Sequence, residues 1–308
     1  MNSINVGIIG VGTMGRNHLR IYSEMKDVDK IYIYDINKEV RAKNLLNEYP
    51  LVLSESFESM LKKVDAVSIC TPTSTHLKII KEASDKNINW LVEKPIVSSF
   101  KECQEILRAN NNNLVTGVGH IERFNPIVKE IKNLIKNPRY IEIRRFNPTS
   151  TRITDSDVVT DLMIHDIDLI WNSFVSESNY DLNSFYNEDL CTVILQFDKC
   201  IASLSASRVA CKKVRTVHID DEDFSIEGDF MNQEIYIYRR PQKYDINNSR
   251  YIQENVIEKV IVNKVEPLKE ELKTFVKCVK GGTQFPVTVD QGVSNLRIVE
   301  EIRWGGEI

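Results

Sequence analysis

Residues 1–118 alternate short apolar runs with stretches of helical period. Asn5–Gly10, Lys30–Asp35, Ala66–Thr71, Trp90–Glu93 and Leu114–Gly117 read as buried strands, with a weak strand at Val52–Leu53. Helical spacing runs from a glycine turn to about Met25, then over Glu39–Tyr49, Phe57–Lys63, His76–Lys86 and Phe100–Asn110. This alternation predicts a parallel sheet covered on both faces. From Gly119 the rhythm changes. A helix over Pro126–Lys136, a strand over Tyr140–Phe146, a polar loop over Pro148–Asp157 and a strongly apolar helix over Val158–Phe174 lead into a series of strands. These are Cys191–Phe197, Ile201–Ser207, Val214–Asp220, Phe224–Gly228, Glu234–Arg239 and Val256–Val262, and helices over Pro267–Val279 and Gly292–Ile302 close the chain. Strands joined by short turns predict a mixed, mostly antiparallel sheet. The expected fold class is α/β: a doubly wound parallel sheet over 1–118, then an α+β domain over 119–308 for substrate and self-association, whose last helix (about 290–303) returns to the first domain.

Composition adds limits. The 308 residues suit two domains of roughly 150 residues each. The net charge of −4 gives no reason to expect nucleic acid as a partner, so an anionic substrate needs a local basic cluster. No apolar run reaches the ~18 residues of a membrane span. Met1–Asn5 lacks a basic region and a cleavage site, so no secretory leader is expected and the location is read as cytoplasmic. Cysteines 70, 103, 191, 200, 211 and 278 form no Cys-x-x-Cys pair. They read as reduced thiols, and no ligand spacing supports a metal.

Gly10-Val11-Gly12-Thr13-Met14-Gly15 follows the first strand and opens a helix, the context a G-x-G-x-x-G turn needs to hold a dinucleotide. Gly10 permits the tight turn, Gly12 lets backbone approach the pyrophosphate, and Gly15 allows close helix–strand packing. The helix start offers free N–H donors to the phosphates. Asp35 ends the second strand about 20 residues past Gly15, where a ribose-binding carboxylate is expected. A carboxylate there accepts from both ribose hydroxyls and repels a 2′-phosphate, which selects NAD.

Cys70-Thr71-Pro72-Thr73-Ser74-Thr75-His76 and Glu93-Lys94-Pro95 end the fourth and fifth strands. With the glycine turn, they resemble the glucose–fructose oxidoreductase and inositol dehydrogenase (Gfo/Idh/MocA) family across nearly the whole chain. The resemblance implies a Rossmann domain followed by a mixed-sheet domain, and an active site at the carboxyl ends of the parallel strands, where open α/β sheets bind ligands. It implies cofactor contacts from Thr71, Pro72, His76, Glu93 and Lys94. It places Lys94 beside the nicotinamide and the reacting hydroxyl, with the Lys94–Pro95 bond often cis.

The helix VVTDLMIHDIDLIW (158–171) is mostly apolar, so its polar residues need a reason. At about 100° per residue, Asp161, His165 and Asp168 share one stripe and Asp166 lies off it. A histidine satisfied by local bonds would look the same. The resemblance decides for chemistry, since the family carries Asp-x-x-x-His on a helix of its second domain and Asp161 and His165 match it. His165 would be the general base, because imidazole titrates near neutrality. Asp161 would orient the ring, and Lys94 would stabilise alkoxide charge.

The run from Gly119 to Pro126 and residues 155–169 look like a branch acting on nucleotide sugars. The implied reaction oxidises a ring hydroxyl, with the 3-hydroxyl of UDP-N-acetylglucosamine as the nearest type, and passes a 3-keto sugar to an aminotransferase. Arg123, Arg144, Arg145 and Arg152 cluster in sequence and suit diphosphate. Arg144 and Arg145 point to opposite strand faces, so at most one lines a site. Arg123, Arg152 and Asp168 are the candidate substrate contacts. A polyol or free-sugar (inositol-type) dehydrogenase is the alternative. A non-catalytic NAD-binding sensor or scaffold would be expected to lack Lys94, Asp161 and His165. Relatives imply a homodimer or homotetramer.

Overall fold

The computed structural model describes residues 3–37, 45–110, 113–148, 156–240, 244–247, 250–253 and 255–305. The chain forms two compact units, residues 1–121 with 266–297, and 122–265 with 298–308.

In the first unit six strands lie in the order β3-β2-β1-β4-β5-β6, all parallel. They are β1 (Ile4–Ile9), β2 (Val28–Tyr34), β3 (Leu51–Leu53), β4 (Ala66–Ile69), β5 (Asn89–Glu93) and β6 (Thr116–Gly119). The helices are α1 (Thr13–Ser23), α2 (Leu45–Glu48), α3 (Phe57–Leu61), α4 (His76–Asp85) and α5 (Phe100–Ala109). Both faces of the sheet are covered, so its central strands are apolar throughout: Val6, Ile8, Ile9, Ala66, Val67, Ile69, Leu91 and Val92 are buried. The strand order reverses between β1 and β4, and the crevice beyond their carboxyl ends is where such sheets bind ligands. Capping boxes start α3 at Ser56 and α5 at Ser99.

The expected Glu39–Tyr49 helix falls largely on residues 38–44, outside those described; the described turn is α2. Helix α8 (Pro267–Gly281) and the start of α9 (Val289–Arg303) belong to this unit. Ion pairs Arg20–Glu266, Lys269–Glu24 and Lys280–Asp27 accompany α8. Phe275 meets Phe285 edge-on, and Phe285 sits where a side chain at Gly117 would otherwise project.

The second unit holds an eight-stranded sheet in the order β16-β13-β12-β11-β7-β10-β9-β8. Only β7 and β10 pair parallel; the other neighbours are antiparallel. The strands are β7 (Tyr140–Phe146), β8 (Tyr180–Tyr186), β9 (Leu190–Phe197), β10 (Ile201–Ser207), β11 (Val214–Asp220), β12 (Phe224–Asp229), β13 (Glu234–Arg239) and β16 (Ile257–Val260). A separate ribbon pairs β14 (Tyr244–Asn247) with β15 (Arg250–Gln253). Burial alternates along β9, with Cys191, Val193, Leu195 and Phe197 under the covering helices and Leu190, Thr192, Ile194 and Gln196 on the open face.

Those helices are α6 (Pro126–Leu134), started by Asn125 with Pro126 at its first position, and the apolar helix α7. Helix α7 is continuous but not uniform. Val159–Met163 and Ile170–Phe174 have π-type hydrogen bonding, and only Ile164–Leu169 is α-helical. An i→i+5 ladder turns less per residue than an α-helix. The stripe geometry of a regular helix therefore holds between His165 and Asp168, which share the α-helical part, but not from Asp161, in the π-type part, to either of them. Strand β8 has no counterpart in the hydrophobic pattern, because Tyr180–Tyr186 is an edge strand with no fully buried residue.

Candidate active site

The glycine turn is built as the dinucleotide reading requires. Gly10 takes φ +82°, and a Cβ there would meet the Cys70 carbonyl at 2.8 Å, so the turn after β1 lies directly against the turn after β4. A Cβ on Gly15 would fall 1.9 Å from the Gly10 carbonyl oxygen. A Cβ on Gly12 would meet nothing within 4 Å, which leaves an open cradle at the point where pyrophosphate is expected. Gly12 begins α1 without a side-chain cap, so the first N–H groups of that helix remain available to an anion. Val11, Thr13 and Met14 complete this turn.

The Asp35 carboxylate accepts from Val11 N–H at 2.8 Å and from Asn37 N–H at 2.8 Å. Each bond uses one oxygen and leaves lone pairs for ribose hydroxyls. The cradle thus fits a dinucleotide with an unmodified ribose. Substituting Gly15 with alanine should open the loop at about 1–3 kcal/mol. NAD binding should weaken by roughly five- to a hundredfold, as read by fluorescence titration; unchanged affinity would contradict this role.

Two further turns follow β4 and β5. Thr71 and Pro72 lie in the first, where the Thr75 hydroxyl bonds Thr71 Oγ1 and the Pro72 carbonyl. The Lys94–Pro95 bond in the second is cis, and Lys94 is half-buried. His76 joins the two turns. Its Nδ1 lies 3.0 Å from the Pro95 carbonyl and its Nε2 3.0 Å from the Thr71 carbonyl. Burial lowers its pKa against the opposing pull of those carbonyls. His76 is 1% exposed and braces the loops; it does not present a nitrogen to a cofactor.

Glu93 is likewise anchored. Its Oε1 lies 2.9 Å from His18 Nε2, and its carboxylate packs 3.3 Å from where a Gly119 side chain would begin. His18 is a partner that sequence reasoning missed. Its only signal was a histidine one turn into an apolar helix face.

In the second unit Asp161 and His165 are half-buried on α7, with the His165 Nδ1 turned fully inward. Val159, Met163, Ile164, Ile167 and Leu169 around them are buried. The start of α7 is clamped. Asp157 accepts from Thr160 N–H at 2.8 Å, from the Tyr186 hydroxyl at 2.8 Å and from Arg303 Nε at 2.7 Å, and Arg303 Nη2 also reaches Thr160 Oγ1 at 2.6 Å. Burial alone would raise the Asp157 pKa; these donors outweigh it and hold it below the ordinary carboxylate value.

The substrate candidates need correction. Arg123 and Asp168, expected to face substrate, bind each other through two bonds of 2.6 and 2.9 Å. Asp168 also accepts from Asn172 and is 1% exposed. Arg145 is buried with Asp166 and Glu122, at 2.7 and 3.0 Å. Burial pulls its pKa down, but the two acids outweigh this and hold the guanidinium charged. Asp166, the acid off the expected stripe, is thus the partner of a buried arginine. Arg144 lies on the other face beside Glu142, and Arg152 lies outside the described residues. The pairs of Arg123 and Arg145 join residues 21 to 45 positions apart, so no local pattern announces them. Among the described residues, no cluster of three metal-ligating side chains occurs, and no helix is long and apolar enough to cross a membrane.

A doubly wound sheet, a glycine turn opening a helix, and a carboxylate placed to accept from ribose define an NAD-binding oxidoreductase. The chain belongs to the Gfo/Idh/MocA oxidoreductase family, whose NAD-binding Rossmann fold matches residues 4–120. It is 32% identical over 249 residues, 78% of each chain, to UDP-N-acetylglucosamine 3-dehydrogenase of Acidithiobacillus ferrooxidans. A solved structure of that enzyme matches with a TM-score of 0.85 and 28% identity, over 99% of this chain and 98% of its own. Inositol 2-dehydrogenase of Mycolicibacterium smegmatis is 27% identical over 180 residues, 55% of this chain and 52% of that protein.

Proposed function

We propose that this chain oxidises a ring hydroxyl of a nucleotide sugar to a ketone, with the 3-hydroxyl of UDP-N-acetylglucosamine as the substrate group. The observation that carries the chemistry is the half-burial of Asp161 and His165 on a helix whose other two acids, Asp166 and Asp168, are fully buried against arginines. The substrate class follows from similarity to the Acidithiobacillus enzyme over 78% of both chains.

When bound, NAD accepts the hydride. His165 takes the hydroxyl proton, and Asp161 favours the imidazolium as it forms. Lys94, cationic, steadies the negative charge that builds on the oxygen. The glycine turn and Asp35 hold the dinucleotide in place, while His76 and Glu93 hold the loops that carry Thr71, Pro72 and Lys94.

The 3-keto product calls for an aminotransferase as the next enzyme. Self-association as a dimer or tetramer fits the exposed Leu190, Ile194 and Ile201, which share the open face of the second sheet. We place the reaction in the cytoplasm. Purified protein with NAD and a panel of UDP-N-acetylglucosamine, free N-acetylglucosamine and inositol, followed by NADH absorbance, tests the reading. Turnover confined to the nucleotide sugar is expected. Turnover of inositol alone would favour the polyol reading, which the similarity to inositol 2-dehydrogenase keeps in view. NAD binding without turnover on any of them would favour a sensor.

A further inference from the structure

An anionic substrate needs a cation, and of the arginines that sequence clustering nominates, the three that are described are engaged elsewhere. Arg123 is taken by Asp168, Arg145 by Asp166 and Glu122, and Arg144 sits on the opposite face with Glu142. Arg208 donates to the Ser156 and Glu188 carbonyls. Arg215 is different. It lies on β11 directly across from Arg145 on β7. It has the parity of Val217 and Ile219, which are fully buried under the helices. Its backbone is pinned, its carbonyl accepting from Phe230 N–H.

The Arg215 side chain is half-buried, and its Nε is fully buried with no hydrogen-bond partner. Among the described residues it forms no ion pair. Burial lowers its pKa, Arg145 repels it, and the charges of Glu122, Asp166 and Asp161 draw the other way. Glu122 and Asp166 spend their hydrogen bonds on Arg145. The Nη end of Arg215, which no described residue takes, is the part a ligand can reach, within the electrostatic reach of Asp161. A buried donor without an acceptor is costly to keep unless something fills the position.

We propose that Arg215 binds the diphosphate of the nucleotide-sugar substrate and sets the preference for nucleotide sugars over free sugars. A guanidinium presents parallel N–H donors that match phosphate oxygens, a geometry an ammonium does not reproduce. The inference rests on the nucleotide-sugar reading above.

The test uses the full-length protein with UDP and UDP-N-acetylglucosamine as probes. Calorimetric titration with UDP comes first. Binding to the wild type, weakened by about ten- to a hundredfold in Arg215→Met, is expected from loss of a charge-assisted contact. In turnover, KM for UDP-N-acetylglucosamine should rise by a similar factor, with kcat and NAD affinity within a few-fold of wild type. Arg215→Lys keeps the charge near Glu122 and Asp166 and should recover only part of the loss. Full recovery by lysine would mean that Arg215 serves only as a countercharge to the buried acids, and would overturn the proposal. Unchanged UDP affinity in Arg215→Met, or a fall in kcat at constant KM, would also overturn it. Wild-type protein that binds UDP but does not oxidise UDP-N-acetylglucosamine would sink the substrate reading while leaving the diphosphate contact standing. No UDP binding by the wild type would sink both. If Arg215→Met fails to fold, the lysine variant carries the test, and UDP affinity equal to wild type overturns the proposal.

Discussion

Replacing His165 with asparagine is expected to lower kcat by about two to four orders of magnitude while leaving NAD affinity unchanged. The range is what a positioned general base contributes. Asparagine keeps a planar polar group of similar reach but cannot take a proton at neutral pH, so the loss isolates proton transfer from packing. The separation from cofactor binding is expected because His165 lies on α7 in the second unit, whereas the glycine turn and Asp35 belong to the first. Steady-state turnover and fluorescence titration with NAD, measured on one preparation, check both halves. Turnover within a few-fold of wild type would remove His165 from the mechanism. A parallel loss of NAD binding would point instead to a cofactor-binding role.

The second large effect is on stability. Arg145 is 1% exposed, and its two acids are almost as deeply buried. Replacing Arg145 with leucine would leave two buried carboxylates without their hydrogen-bonded counterion, with Arg215 acting on them only through its charge. Breaking a buried pair on one side costs about 3–5 kcal/mol, because the remaining charge is stranded. For a unit of this size that corresponds to a melting temperature lower by roughly 6–20 °C. Differential scanning calorimetry at neutral pH reads it. A drop of less than a degree would mean that the pair adds no net stability, and that Glu122 and Asp166 are protonated or hydrated once the arginine is gone. The triple replacement of Arg145, Asp166 and Glu122 by apolar residues should recover much of the loss, since a buried ionic cluster is often no better than good packing.

These two expectations differ in how visible they were along the chain. His165 stood out locally: a histidine four residues after an aspartate, on a helix with little other polarity. The Arg145 cluster was invisible, because a strand arginine and a helix aspartate look like surface residues until the strand and helix pack face to face. The same limit explains Asp168. On a regular helix it shares a stripe with Asp161 and His165; in α7 it keeps its α-helical spacing from His165, and Arg123, 45 positions earlier in the chain, claims its carboxylate. Strand β8 escaped for another reason. A strand at a sheet edge, with no residue fully buried, leaves no alternation of apolar and polar residues to read.

The amino-acid sequence alone determined the alternation that makes the parallel sheet, the change of rhythm at about Gly119, the glycine turn with its carboxylate, and NAD as cofactor. All of these depend on residues close together in the chain, whose backbone preferences and periodicities act locally. The tertiary structure decided which charged side chains are spent on one another and which remain to meet a ligand. It tied His76 between two loops, paired His18 with Glu93, buried Arg145 with two acids and left Arg215 without a partner among the described residues. Such outcomes depend on which faces meet across the fold and on the cost of burying a charge unpaired, and neither is set by spacing along the chain.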